Sequence, residues 1–380
     1  MSFAELGLSE EIVKNVTENG FSTPFAIQKE VIPEFISGKD ILAIAQTGSG
    51  KTAAYVIPVL QKLQTKKELK SRHVRVLVLV PTRELAVQVA EVFRTLSSGL
   101  KNRIKSLAVY GGVSINPQMM NMNGVEILVA TPGRLLDLTL SNAVNLSQVD
   151  TLIIDEADKL FNLGFEEDIN KIFSQLPTNR QSALFSATLS EKVETIRTDA
   201  FKNPVVIQVS ENAKIVDKID YRAYLVAEER KGPFLRYLIK NENMNQVLVF
   251  VASGQRADNV VKKLVQNGIK AIAFHGKKSQ GHRTDALVKF KAKRIQVLVA
   301  TDLASRGLDI NELPFVINYE LPRSPKDFVH RVGRTARAGN CGEAISLIGY
   351  DEEHHFKVIQ KKNGLRIATI ETDDIDIRKY

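Results

Sequence analysis

Residues Ala45-Gln46-Thr47-Gly48-Ser49-Gly50-Lys51-Thr52 constrain the fold of this chain more than any other stretch. A glycine-rich run ends there in lysine and a hydroxyl residue. The apolar run 40–45 leads in as a short buried strand, and residues 53–63 follow with helix-compatible spacing. Strand, glycine-rich loop and helix in that order make a phosphate cradle. The glycines let the backbone curl until several N–H groups point inward, and the positive end of the helix dipole adds to their field. In such a loop Lys51 reaches the β- and γ-phosphates and the Thr52 hydroxyl holds Mg2+. The chain is therefore expected to bind a nucleoside triphosphate.

A loop of this kind needs a parallel sheet behind it, and the rest of the sequence supplies the strands. Apolar runs at 74–80, 127–130, 151–154 and 183–185 alternate with helical segments such as 83–96, which predicts α/β layers. With 380 residues the chain exceeds one ordinary core, so two domains are expected. It also repeats itself. Val76-Leu77-Val78-Leu79-Val80 recurs 171 residues later as Val247-Leu248-Val249-Phe250-Val251, and Leu128-Val129-Ala130-Thr131 recurs 170 later as Leu298-Val299-Ala300-Thr301. Two matches at nearly one spacing suggest a duplicated α/β domain. The phosphate loop is not duplicated, so the second half is expected to contribute something other than a cradle. The predicted division is residues 1–209, a polar linker at 210–217, a second domain at 218–370 and a short charged end at 371–380 without a core of its own.

Composition narrows the partner. The formal net charge is +9 with a pI near 9.4, and the charge is spread along the chain rather than held in a tail. That points to a polyanion lying on folded domains. No apolar run approaches the roughly 18–20 residues of a membrane span, and the N-terminus lacks a basic segment followed by an apolar one. Cys341 is the only cysteine, which excludes an internal disulfide and a cysteine-based metal site. No membrane partner is expected, and the expected compartment is the cytoplasm. His354-His355 lacks metal-ligand spacing and reads as solvated surface.

Asp155-Glu156-Ala157-Asp158 follows directly on the run 151–154. Carboxylates at the carboxyl end of a parallel strand sit in the crevice where α/β folds bind ligands. Asp155 is assigned to Mg2+, usually through water, and Glu156 to positioning and deprotonating the attacking water.

Those four residues spell the signature of the DEAD-box ATP-dependent RNA helicases, and the sequence resembles that family from Phe3 to about Gly349. The resemblance implies two tandem RecA-like domains, each a mainly parallel sheet flanked by helices, and an RNA-dependent ATPase. It implies that the opening segment, about residues 1–29, reads adenine. Gln28 would bond two edge atoms of the base, since an amide both donates and accepts, and Phe21 would stack on the ring. Phe25-Ala26 departs from the threonine-proline more usual there. ATP is thus expected on Phe21, Gln28, Ala45, Gln46, Thr47, Gly48, Ser49, Gly50, Lys51 and Thr52, with Asp309 on its ribose. The family's RNA-contacting blocks are resembled by Pro81-Thr82-Arg83, Gly111-Gly112, Thr131 and Arg134, and in the second half by His275-Gly276, Gln280, Arg283 and Thr301. Cations, hydroxyls and glycines without interleaved aromatics favour contacts to the RNA backbone and little sequence readout. Ser186-Ala187-Thr188 resembles the block that couples nucleotide to RNA, with its hydroxyls bonding Asp158 across the cleft. Ala336 stands in the stretch 330–337 where glycine is commoner in the family. The basic residues of that stretch are carried over as His330, linking to the phosphate side, and as Arg334 and Arg337, reaching the γ-phosphate from the second domain.

The function expected is separation of short RNA duplexes or remodelling of RNA–protein complexes, driven by ATP hydrolysis and involving ribonucleoprotein partners. A DNA-directed ATPase and an ATP-gated RNA clamp with little unwinding are the alternatives. The chain is expected to be a monomer.

Overall fold

Val-, Ile- and Leu-rich runs with no polar alternation can be satisfied only when both faces of a sheet are covered, and that is how they are used. In a computed structural model, residues 1–46, 48–65, 70–189, 193, 201–209, 219–302, 313–335, 342–377 and 379 are described. The chain divides into two units, Met1–Glu211 and Asn212–Tyr380. The expected linker, 210–217, lies outside the described residues.

In unit 1 the strands are β1 (Ile41–Ile44), β2 (Val76–Leu79), β3 (Ser106–Val109), β4 (Ile127–Ala130), β5 (Thr151–Ile154), β6 (Gln181–Ser186) and β7 (Val205–Gln208). They form one sheet in the order β3-β4-β2-β5-β6-β1-β7. Every pairing is parallel, with Ile41 level with Ala183 and Val205, and Val76 level with Ile127 and Thr151. The helices of this unit that bear on the site are α1 (Glu10–Glu18), α2 (Ala26–Ile36), α3 (Lys51–Leu63), α4 (Arg83–Ser97), α5 (Asn116–Met120), α6 (Pro132–Leu140) and α7 (Ala157–Asn162). Successive strand residues point to opposite faces. Ala43, Val78, Ile153 and Phe185 join one apolar cluster with α2, α3 and α4, whereas Leu42, Leu77, Leu152 and Leu184 join another with α6 and α7. The two-faced burial explains the unbroken apolar runs.

In unit 2 the strands are β8 (Ile219–Leu225), β9 (Val247–Val251), β10 (Ala271–Phe274), β11 (Val297–Thr301), β12 (Phe315–Asn318), β13 (Gly342–Ile348) and β14 (Thr369–Glu371). Their order is β10-β11-β9-β12-β13-β8-β14, again all parallel. Substituting β8 for β1, β9 for β2 and so on converts one sheet order into the other. The two short words that repeat in the sequence fall on β2 and β9, and on β4 and β11. The duplication is therefore one of topology.

The C-terminal end corrects the expectation of an uncored tail. Ile377 is buried and Ile375 packs beside it in the core of unit 2. The Thr372 hydroxyl donates to the Leu225 carbonyl at 2.7 Å, and Arg230 donates to Thr372 O at 2.9 Å and to Ile375 O at 3.0 Å. A strand of three residues and two isoleucines suffice to fix the segment, a pattern too short for apolar periodicity to reveal. His355 departs in a smaller way from the solvated pair expected. Its Nε2 lies 2.8 Å from the Pro322 carbonyl, while His354 is exposed.

Candidate ATP and RNA site

The motif segments of unit 1 lie where its parallel strands end, so they share one edge of the sheet. After β1 the loop turns through Gly48 and Gly50, both at φ 89°, and Gly50 is the N-cap of α3. Where the general phosphate-loop pattern has its first glycine, this chain has Ala45, and that residue's carbonyl accepts from Lys51 Nζ at 2.5 Å. Burial lowers the Lys51 pKa, opposed by the carboxylates of Asp155 and Glu156. Ser49 Oγ donates to Gln46 O at 2.8 Å. Lys51 is thus folded back on its own loop, and an arriving phosphate must replace the Ala45 carbonyl as its partner. Thr47 lies outside the described residues.

Gln28 is buried in α2 and is satisfied by backbone at both ends. Its Oε1 accepts from Phe25 N at 2.9 Å and its Nε2 donates to Gly50 O at 3.1 Å. The amide that would read adenine therefore ties the head of α2 to the phosphate loop. Phe21 is half-buried against the core and Phe3 lies within it. Phe25, the departure from the family pattern, is 53% exposed beside Gly50. A Cβ on Gly50 would stand 2.6 Å from Gln28 Nε2 and 2.9 Å from a Phe25 ring carbon. Left-handed backbone costs a side-chain-bearing residue about 1–2 kcal/mol, and about 1.4 kcal/mol is tenfold in affinity. Gly50→Ala is accordingly expected to weaken ATP binding by about tenfold or more, checked by titrating a fluorescent ATP analogue. Unaltered binding would mean that Gln28 and Phe25 yield freely.

Beyond β5, Asp155 is 2% exposed. Its Oδ1 accepts from Glu156 N at 2.8 Å and its Oδ2 from the Tyr55 hydroxyl at 2.9 Å. Burial, then the neighbouring Glu156, pushes its pKa up to about 6, against the pull of Lys51 and Tyr55. Thr52 also bears on the Tyr55 phenol, so one buried side chain neighbours both residues assigned to Mg2+. These are hard oxygen donors of the kind Mg2+ takes alongside substrate phosphates. Among the described residues no three His, Cys, Asp or Glu side chains gather into a cage that could hold a metal without a substrate. The donor set fits an ion that arrives with its nucleotide. Tyr55 was not singled out in the sequence, because its partner lies 100 residues away.

Glu156 adopts φ 51°, ψ 47°, a left-handed conformation at the N-cap of α7. Lys159 Nζ donates to its Oε1 at 2.5 Å. Asp158 Oδ2 accepts from Thr188 Oγ1 at 3.3 Å, and Ser186 Oγ donates to Thr188 O at 2.8 Å. This contact was expected across a cleft. It is made within unit 1, because β5 and β6 are adjacent strands and both segments leave the same edge.

The RNA-type residues of unit 1 also come together. Thr82 caps α4 by accepting from Leu85 N at 3.3 Å. Arg83 lies over Gly112, where any Cβ would overlap its guanidinium, and Gly112 is at φ 75°. Arg134 Nη2 donates to Val113 O at 2.9 Å, and Thr131 is the buried N-cap of α6. Arg83, Gly111-Gly112 and Arg134 thus form one basic, glycine-floored corner. Pro81 leads into it from β2.

In unit 2, Gly276 follows β10 with open space above its Cα, Gln280 opens the helix Gln280–Lys291, and Arg283 donates to Gln280 Oε1. His275 is buried, with Nε2 3.3 Å from Asp258 Oδ1. Thr301 ends β11. His330 and Arg331 lie in the helix Pro325–Val332, and Arg334, two residues beyond it, is 5% exposed. Asp309, Ala336 and Arg337 lie outside the described residues. Arg331 was not assigned a role, yet it is buried and multiply bonded. It holds both oxygens of Asp302 at 2.6 and 2.7 Å, donates to Asn318 Oδ1 at 3.1 Å and to Glu320 O at 2.6 Å, and lies 5.0 Å over the Phe250 ring.

The chain matches the family model for the DEAD/DEAH box helicase over residues 25–196 and that for the helicase conserved C-terminal domain over 230–339. It is 37% identical over 375 residues to the ATP-dependent RNA helicase CshA of Listeria monocytogenes, covering 98% of this chain and 71% of that one. To the ATP-dependent RNA helicase DDX47 of Drosophila melanogaster it is 38% identical over 379 residues, covering 99% and 74%. Among solved structures it resembles S. cerevisiae Dbp5 bound to RNA and ADP BeF3, with a TM-score of 0.85, 28% identity and coverage of 100% and 99%. It also resembles a DEAD box protein from Methanococcus jannaschii, with a TM-score of 0.56, 36% identity and coverage of 97% and 99%. Motifs, topology and relatives agree: the chain belongs to the DEAD-box helicases.

Proposed function

We propose that this protein is an RNA-dependent ATPase that separates short RNA duplexes or remodels RNA–protein complexes. The observation that carries the reading is the shared sheet edge of unit 1. It joins the loop of Lys51, the carboxylates of Asp155 and Glu156, and the corner of Arg83, Gly112 and Arg134 within one compact unit. One edge can then feel both a triphosphate and a nucleic-acid backbone. The solved relative bound to RNA and ADP BeF3 supports the same pairing of ligands.

In the reaction, water attacks the γ-phosphorus while Glu156 takes its proton. The bond to the β–γ bridging oxygen breaks, and its electron pair leaves with ADP. Lys51 binds the β- and γ-phosphates. Asp155 and the Thr52 hydroxyl would hold Mg2+, which supplies charge neutralisation on the phosphates. Gln28 and Phe21 bind the base, and Asp309 the ribose. Asp158, Ser186 and Thr188 couple this site to the RNA residues named above. Unit 2 contributes Gly276, Gln280, Arg283 and Thr301 to RNA, with His330, Arg334 and Arg337 to the phosphates. Closure of the units on both ligands and its release after hydrolysis would drive strand separation, a population shift paid by contacts present only in the closed state.

The deciding assay is steady-state ATP hydrolysis with no nucleic acid, with single-stranded RNA and with DNA of equal length. Strong stimulation by RNA alone, abolished by Lys51→Ala, is expected. Equal stimulation by DNA would favour the DNA-directed reading, and RNA-stimulated turnover without duplex separation would favour the clamp.

Asp155 adds a pH signature. Its raised pKa means that the ligand-free site takes up a proton as the pH falls through about 6. Binding Mg2+ with ATP requires the anion. Affinity for MgATP without RNA should therefore hold above pH 7 and fall by about tenfold per unit well below pH 6. A flat titration between pH 5 and 8 would remove Asp155 from the metal site.

A further inference from the structure

Glu156, the proposed base, is held in a buried ion pair by a neighbour that the reaction does not require. Lys159 Nζ and Glu156 Oε1 are 2.5 Å apart, and the two side chains are 8% and 9% exposed. A lysine and a glutamate three apart on a wet helix surface attract each other weakly. Here water is excluded, so neither member leaves until something else satisfies it. The pair also belongs to a closed set of charges: Lys51 feels Asp155, Glu156, Asp158 and Lys159 together. In the free protein, two cations already face these carboxylates without any ligand.

The backbone fixes what can move. Glu156 sits at φ 51°, with its N–H bonded to Asp155 Oδ1. The start of its side chain is thereby set, and its carboxylate changes partner only by rotating. Lys159 rides on α7, the same short helix as Asp158, and Asp158 is tied to Thr188. A shift of α7 that alters the Asp158–Thr188 contact therefore also moves Lys159.

We propose that Lys159 is a positioning residue that holds Glu156 turned towards α7 and away from the attacking water when RNA is absent, restraining uncoupled ATP turnover. The restraint ends when movement of α7 draws Lys159 off the carboxylate. This rests on the RNA-dependent ATPase reading above.

The test uses the full chain as wild type, K159M and K159R, measuring kcat and KM for ATP without RNA and at saturating RNA. K159M should raise the RNA-free kcat by about tenfold, leave KM for ATP nearly unmoved and so shrink the stimulation by RNA. K159R keeps the charge and should restore most of the restraint. A pair that merely stabilises the fold would instead lower both rates together with the melting temperature. An RNA-free kcat in K159M that is unchanged or lower overturns the proposal. Should K159M unfold below the assay temperature, K159Q, which keeps a polar end without the charge, decides by the same readout. If wild type itself is not stimulated by RNA, the function reading fails first, and that outcome is separate from a failure of Lys159.

Discussion

Arg334→Ala is expected to lower RNA-stimulated ATP turnover by about 10³-fold or more, the range of an arginine that stabilises charge in phosphoryl transfer. The stretch 330–337 offers four basic side chains, and among the described residues Arg331 is already engaged within unit 2. Arg331 is turned inward on Asp302, Asn318 and Glu320, so it is not available for a phosphate. Arg334 follows one turn later, its amide donating to the Arg331 carbonyl at 3.1 Å. Anchoring one arginine fixes where the other begins. Because the guanidinium would act on the transition state more than on bound ATP, kcat should fall while nucleotide affinity changes little. Lys51→Ala should do the reverse in part, removing binding as well as turnover. Arg334→Lys should recover little, since an ammonium lacks the planar fork that spreads over phosphate oxygens. Turnover within about tenfold of wild type for Arg334→Ala would remove it from the phosphate site and leave the role to Arg337.

What could be read from the sequence follows the range of the interactions concerned. The glycine-rich turn at 45–52, the family signature Asp155-Glu156-Ala157-Asp158 and the strand words were legible because each is a local pattern. The duplication was visible in two short words because β2, β4 and their counterparts β9 and β11 are inner strands, covered on both faces and, apart from Thr301 at the end of β11, restricted to Val, Leu, Ile, Ala and Phe. Pairings between distant segments were not legible. Tyr55 finds Asp155, and Arg331 finds Asp302, only after the chain has folded. Gln28 was read for its amide chemistry, and nothing local says that Phe25 and Gly50 already satisfy it. Lys159 is the exception, since a cation three residues after Glu156 on a helix is a legible pair. What the sequence could not supply was its burial, which turns a weak surface contact into a strong one.

The second large effect is on folding rather than chemistry, and it falls on Arg331. This side chain is 2% exposed, with Asp302, Asn318 Oδ1, the Glu320 carbonyl and the Phe250 ring around it. It joins the end of β11 to the end of β12 and to the helix that carries His330. Breaking a buried charge pair costs up to about 3–5 kcal/mol, and Asp302, Asn318 and the Glu320 carbonyl would all lose their bond to Arg331 at once. In a domain of this size about 1 kcal/mol corresponds to about 2–4 °C. Arg331→Ala should therefore lower the melting temperature of unit 2 by about 10 °C or more, while unit 1 melts as before. Arg331→Lys should rescue only part of the loss, since one ammonium cannot hold both Asp302 oxygens and reach Asn318 and Glu320 as well. Replacing both partners, as Arg331→Met with Asp302→Leu, should recover more stability than Arg331→Met alone, because the carboxylate that faced the guanidinium is removed with it. The double variant should still have lost RNA-stimulated turnover, since the helix that leads to Arg334 would have lost its anchor. A double variant that is stable and fully active would show that Arg331 serves the fold of unit 2 alone.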